Sequence, residues 1–439
     1  MMTLTTQLID LIRSKPITDE DLHRASILFL DALSTAYAGA TTPVGQKLIR
    51  WAKSDGQNTR THAFLVGALT HITETDDLHR QSVTHPGCIV IPAVLALATR
   101  HNLNDRQMLS AMIRGFEAMC RVGNAVGPQH YKIWHNTSTC GPFGSAMAAA
   151  DLLGLTPEQT VSALGNAGTQ SSGLWQFLET GAMSKHLHAG RGSEAGVLAA
   201  ELAAEGFTGP ADILEGSQGM FRAMCPDADP SIVLRDPDQA WQLHSTSIKP
   251  WPSCRHTHPT IDAALEIHAK LGNAVVESVT VGTYQAALDV CDRAEASNEY
   301  QAKFSLQHCV SKALLDGEIS LNSFDESARS DTAELRSRVN VVASDPFRSN
   351  YPRSWGAGVS VTTADGQSFE ALRPDCKGDP ELPLDDDEMV IKANSLLAYG
   401  GLSDEHSREL AATVLSMPGR STNSGLLVDM VSRFEARIQ

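Results

Sequence analysis

Aromatic residues are scarce: only 5% of the 439-residue chain is Phe, Trp or Tyr. The core must therefore be built largely from aliphatic side chains, and the dominance of Ala and Leu favours helices. Cysteine is thinly spread, as Cys88, Cys120, Cys140, Cys225, Cys254, Cys291, Cys309 and Cys376, with no CxxC pair. That scatter argues against a disulfide frame or a zinc site and predicts reduced, mostly buried thiols. Positive charge is also short. The formal net charge of -16 leaves no basic stripe for nucleic acid. A local basic pocket for a small anion is still compatible with it. No apolar run approaches the roughly 20 residues of a membrane span. The first residues, MMTLTTQLIDLIRSKP, carry no signal-peptide core and no cleavage site. The expectation is a soluble, cytoplasmic protein whose partners are neither nucleic acid nor membrane.

Helical periodicity fills most of the chain. It predicts helices over residues 3–14, 19–37, 89–98, 106–120, 144–153, 156–167 and 194–205, with short pieces at 211–214 and 219–224. Thr18, followed by Asp19, Glu20 and Asp21, is a helix start, and so is Thr156-Pro157-Glu158. Gly206 falls where a C′ glycine ends a helix. After about residue 270 the texture changes. The runs 275–284, 338–343 and 359–363 are β-branched, and Ala364-Asp365-Gly366 signals a hairpin to 368–372. Helices are expected again at 304–315, 332–336, 386–397, 403–415 and 426–438. The fold class is thus mainly α: a large helical domain over 1–265, to which 385–439 returns, and a smaller α+β domain over 266–384.

Four polar clusters carry the candidate chemistry. The first, Glu74-Thr75-Asp76-Asp77 with His79, Arg80 and the turn Thr84-His85-Pro86-Gly87, sets carboxylates beside imidazoles ahead of an apolar run. Buried together, such groups must pair, and their proton affinities are tuned by doing so. The bland alternative is a helix cap with His85 on a solvated turn. The second cluster, Trp134-His135-Asn136-Thr137-Ser138-Thr139-Cys140-Gly141, stands where a helix N-terminus offers N–H groups to an anion. The third, Lys185-His186-Leu187-His188-Ala189-Gly190-Arg191-Gly192, reads as a basic, glycine-containing loop suited to a carboxylate or phosphate. It lacks P-loop spacing. The fourth, from Lys249 through Arg255, His256 and His258, is stiffened by Pro250 and Pro252. If extended, His256 and His258 point the same way, though without a recognised metal-ligand spacing.

In this order the clusters resemble the MmgE/PrpD family. The strings are DDLHRQSVTHPGCIVIPA (76–93), WHNTSTCGPFGSAMAAADLLGL (134–155), SKHLHAGRGSEAGVLAAELAAEGFTGP (184–210), KPWPSCRHTHPTIDA (249–263), AKFSLQHCVSKALLDGEIS (302–320) and KGDPELPL (377–384). The resemblance implies a helical domain made by both chain ends, an α+β lid, a homodimer and no required cofactor; the absence of compact ligand spacing predicts that no metal is needed either. The resemblance carries a site onto Glu74, Asp76, Asp77, His85, His135, Lys185, Lys249 and His258. The basic clusters themselves offer His188, Arg191 and Arg255 as further anion-binding candidates. Two departures stand out. Glu74 begins a string that opens with Asp in many members, and His308 follows Phe304-Ser305 where many have Tyr. If His308 moves protons in place of a phenol, activity should change near neutral pH.

The implied chemistry is a carbanion next to a carboxylate of a small di- or tricarboxylate, stabilised by fixed cations. The proton carrier would be a histidine or one of the acidic residues. The expected activity is a lyase, a dehydratase first, with an isomerase of the iminodisuccinate epimerase kind as the alternative. Readings from other classes are a metal-dependent hydrolase using His256, His258, Asp76 and Asp77, and a binding protein without turnover.

Overall fold

Thr18 accepts a hydrogen bond from the Asp21 backbone while Asp21 reaches back to the Thr18 N–H, a reciprocal cap. The helix that follows, Asp19–Thr41, buries almost its whole length. This is the pattern throughout the computed structural model, which describes residues 2–56 and 58–436. The chain is mainly helical and forms two compact units. One takes residues up to 72, 76–248 and those from 385 onward; the other takes 73–75 and 249–384.

The first unit is helical apart from a two-residue pairing of Leu78-His79 with Thr246-Ser247. Its helices include Leu4–Ser14, Thr59–Thr70, Gly87–His101, Asp105–Ala125, Asn136–Leu152, Pro157–Gly168 and Ser184–Ala204. Gly87–His101 lies against Thr59–Thr70, Asp105–Ala125, Asn136–Leu152 and Ser184–Ala204, and also touches Asp19–Thr41 and Leu426–Ala436. Its side chains from Cys88 to Ala98 are buried. With few aromatics, the packing relies on Ala, Gly and Val at short interhelical distances, as the composition predicts.

Two expected loops are helix instead. Asn136–Leu152 begins eight residues earlier than its periodicity signals, so the second polar cluster lies in its first turns. Ser184–Ala204 begins ten residues early, which makes the basic third cluster helical too. Gly190 and Gly192 do not open a loop there. A Cβ on Gly190 would sit 2.8 Å from the Phe64 carbonyl oxygen, and one on Gly192 would sit 2.7 Å from Ile89 Cδ1. These glycines let helices touch, and packing outweighs their low helix propensity. The piece expected at 211–214 is turn, not helix.

The second unit holds a four-stranded sheet in the order Val339–Ala343, Val276–Thr283, Ala357–Thr363, Ser368–Arg373. The first pair is parallel and the other two are antiparallel. The hairpin turns at Gly366, whose φ of 83° is the left-handed conformation that glycine tolerates. Helix His258–Leu271 packs on the sheet and on helix Leu306–Asp316. Ile261, Ile267, Val279, Val281, Val310, Phe324 and Val359 form the core. The last helix is Leu426–Ala436; the end expected at 438 falls outside the described residues. Among the described residues no helix is long and apolar enough to cross a membrane.

Candidate active site

Helix Thr59–Thr70 ends at His71, and the chain runs without regular structure to Gly87 apart from the short pairing at Leu78-His79. A turn closed by His79 N–H to the Thr84 carbonyl (2.8 Å) aims the next residue, His85. The His85 backbone N–H donates to Thr137 Oγ1 at 3.1 Å. Its Nδ1 lies 2.6 Å from the Asp77 carbonyl oxygen and 3.2 Å from Asp76 Oδ2. A carbonyl can only accept, so Nδ1 carries the hydrogen and neutral His85 keeps its lone pair on Nε2. The side chain is 13% exposed, half-open where its neighbours are closed.

Asp76 Oδ2 also takes a 2.6 Å hydrogen bond from His71 Nδ1. Burial acts to raise the Asp76 carboxyl, but His71 and His85 outweigh it and hold it well below the usual carboxylate range. Burial pushes His71 down to about 3, with Lys185 adding to the effect and Asp76 opposing it. Asp76 is therefore the anion and His71 a neutral donor. Asp77 is different. Both its oxygens accept from the Gly87 N–H at 3.0 Å, so it caps helix Gly87–His101 where Pro86 has no capping side chain. Burial, reinforced by Asp76 and Asp31, raises the Asp77 carboxyl well above its ordinary value. Adjacent carboxyls thus have opposite proton affinities.

A row of imidazoles continues from this pair. His85 meets His71 edge-on at 4.8 Å, His71 stacks on His135 at 5.6 Å, and His135 Nδ1 is 3.3 Å from His188 Nδ1. Trp175 closes one side, 4.6 Å from the His135 ring. Burial pushes His135 well below its ordinary value, helped by His71 and Lys185; burial and Lys185 bring His188 to about 4. Lys185 is itself buried, one turn before His188 on helix Ser184–Ala204. Arg191, the next turn on, pairs with Glu194 at 2.6 Å and is half-exposed.

The remaining expected site residues lie in the second unit. Lys249 Nζ is 3.2 Å from the Glu74 carbonyl oxygen and 3.6 Å from Glu74 Oε2, both residues buried. Glu74 has φ 61°, a conformation uncommon for a non-glycine residue. Arg255 is committed to Asp379 through Nε at 3.1 Å and through Nη2, and lies over Trp355. His256 and His258 do not form a pair. Residues 255–257 are a 3-10 turn and His258 opens a helix, so the extended geometry expected for them fails. His256 Nδ1 meets the Tyr284 hydroxyl at 2.6 Å, whereas His258 Nε2 faces the Ser253 carbonyl at 3.2 Å. The metal-hydrolase reading, which needed these two rings side by side, loses that pair.

His308 is fully buried, with Nδ1 3.0 Å from Thr332 Oγ1 and Nε2 2.8 Å from the Ser323 carbonyl. Burial pushes it down to about 4. Both nitrogens are occupied, which is the geometry of a packing residue and not of a proton carrier. Replacing His308 with Ala should remove the ring's two hydrogen bonds and its buried volume and cost about 2 kcal/mol in denaturant unfolding. The pH dependence of turnover should not move; a shifted limb would return His308 to the chemistry.

The sequence reading missed His71 and Trp175. His71 stands alone at a helix end, and only its spacing of five residues from Asp76 across a turn could have marked it. It also belongs to the one group with metal-ligand proximity among the described residues: His71, Asp76 and Cys88 offer donor atoms within 4.8 Å of one another. A divalent ion there would need the Cys88 thiolate, and burial, with Asp76 and Asp77, raises that thiol well above its ordinary value.

An ionised carboxylate orienting an imidazole, with a buried lysine and neutral imidazoles beyond it, is equipment for proton transfer at a small anion. The chain belongs to the MmgE/PrpD family: residues 5–233 match its N-terminal domain and 251–417 its C-terminal domain. It is similar to the cis-aconitate decarboxylase of Aspergillus terreus, 26% identical over 455 residues that cover 94% of this chain and 92% of that protein. The cis-aconitate decarboxylase of Homo sapiens is 26% identical over 408 residues, 86% and 83% of the two chains. The cis-aconitate decarboxylase-like protein oryM of Aspergillus oryzae is 25% identical over 458 residues, 95% and 94%.

Proposed function

We propose that this protein is a lyase acting on a small tricarboxylate through a carbanion next to a carboxylate. The observation that carries the reading is the His85 tautomer: Nδ1–H is held by the Asp77 carbonyl and by ionised Asp76, leaving Nε2 as the acceptor. In an elimination Nε2 takes a proton from carbon and the hydroxyl on the neighbouring carbon leaves with its bonding pair, departing as water once protonated; in a decarboxylation Nε2, already protonated, gives its proton to carbon after carbon dioxide leaves. In either case the electron pair of the broken bond passes to the carbon next to a carboxylate. Lys185 supplies the positive charge that stabilises it, and neutral His135 and His188 add hydrogen bonds without competing for the proton. The similarity to cis-aconitate decarboxylases supports the tricarboxylate and the lyase class.

The test is an NMR screen in D2O of cis-aconitate, citrate, 2-methylcitrate, tartrate and iminodisuccinate. Loss of one tricarboxylate with appearance of an eliminated or decarboxylated product is the expected result. Deuterium uptake with no net product would replace the lyase by an isomerase. No change in any compound would overturn the reading.

A further inference from the structure

A cavity of about 510 Å³ opens in the first unit beside the imidazole row. Its wall is mostly apolar, with Trp134, Leu174, Phe177 and Leu187 as the large side chains; hydroxyls, Gln176, His188 and Arg191 supply its polar side. His188 belongs to both places, since its Nδ1 is the atom 3.3 Å from His135. The cavity is also framed by backbone pairing. His135 N–H donates to the Gly173 carbonyl at 2.9 Å and Trp175 N–H to the Ile133 carbonyl at 3.1 Å, which holds the segment carrying Leu174 against the start of helix Asn136–Leu152. Leu174 and Leu187 remain 51% and 48% exposed. Two large apolar side chains left in water at the mouth of a cavity that runs to an imidazole and a guanidinium mark a place for a ligand with an apolar and an anionic end.

We propose that this cavity receives an apolar arm of the substrate: a carboxylate whose charged end meets His188 and Arg191 and whose alkyl chain lies along Leu174, Phe177 and Leu187. The inference rests on the carboxylate reading of the site and narrows it from a bare tricarboxylate to one bearing an alkyl substituent. The lining sets the direction: the apolar side chains are Trp134, Leu174, Phe177 and Leu187, and its one guanidinium, Arg191, stands on the same helix as His188. Continuity through His188 makes the cavity part of the same binding space.

The test is calorimetric titration of the full chain with succinate and its 2-alkyl derivatives from methyl to hexyl. Kd should fall about threefold to fourfold per added methylene, the gain expected from burying a CH2 group. Leu174→Asn and Leu187→Asn should flatten that series while leaving the Kd of succinate itself unchanged, and His188→Ala should weaken every member. A wild-type series with no dependence on chain length, but still sensitive to His188→Ala, would overturn the apolar arm and leave the carboxylate site standing. Chain-length dependence insensitive to His188→Ala and Arg191→Ala would overturn the shared binding space. Absence of binding by every member would remove the carboxylate reading along with the inference. If Leu187→Asn instead converted a dimer to monomers in sedimentation and left the series unchanged, the patch would be a contact between copies and the proposal would fall.

Discussion

Replacing Asp76 with Asn should lower kcat/KM by on the order of 10³- to 10⁴-fold while the protein stays folded, the size of loss seen when a carboxylate that orients a catalytic imidazole becomes an amide. Asp76 Oδ2 receives both His71 Nδ1 and His85 Nδ1. An amide oxygen can still accept, but it carries no charge to stabilise the imidazolium that His85 becomes, and its NH2 can turn toward a ring and force the wrong tautomer. His85→Ala should be at least as severe. The decisive measurement is the double variant. If the two residues work as one unit, Asp76→Asn combined with His85→Ala should be no slower than His85→Ala alone. Losses that multiply would mean that the two act independently, and Asp76 would then be reassigned to binding.

Much of the fold was legible because it depends on local chemistry. The caps at Thr18 and Thr156, the β-branched runs at 276–283 and 339–343 and the hairpin at Gly366 form where the residues indicate. What was not legible depends on neighbours distant in sequence. Gly190 and Gly192 read as loop residues until Phe64 and Ile89 are seen to lie against them. A helix that begins at Ser184 instead of Glu194 also changes the meaning of the basic cluster. Lys185, His188 and Arg191 become three successive turns of one helix, not an anion-binding loop.

For the site, residue type and order pointed to Asp76, His85, His135, Lys185 and His188, and the structure gathers these five in one unit. The division of labour within Asp76-Asp77 was invisible. Adjacent carboxylates look equivalent in a sequence, yet one faces two imidazoles and the other a helix N-terminus. His308 misled for the opposite reason. Its position suggested chemistry, and only the Thr332 hydroxyl and the Ser323 carbonyl reveal a ring held on both sides.

Replacing Lys392 with Met should destabilise the protein by about 3–5 kcal/mol, the cost of leaving a buried carboxylate without its cation. Lys392 lies on helix Asp386–Tyr399 and pairs with Asp31, fully buried in helix Asp19–Thr41, so the contact ties residues far apart in sequence. Burial already raises the Asp31 carboxyl, against the pull of Lys392 and Arg24. Without Lys392 it rises further, and the folded state then binds a proton that the unfolded chain gives up. A carboxyl raised on folding contributes most below its unfolded pKa and loses that contribution as pH rises through the folded value. The deficit of Lys392→Met relative to wild type should therefore grow from pH 5 to pH 8 in urea unfolding. Adding Asp31→Asn should recover most of the loss and flatten the pH dependence, because no charge remains to strand. A pH-independent deficit, or one that Asp31→Asn does not relieve, would show that Lys392 matters for its packing and not for its charge.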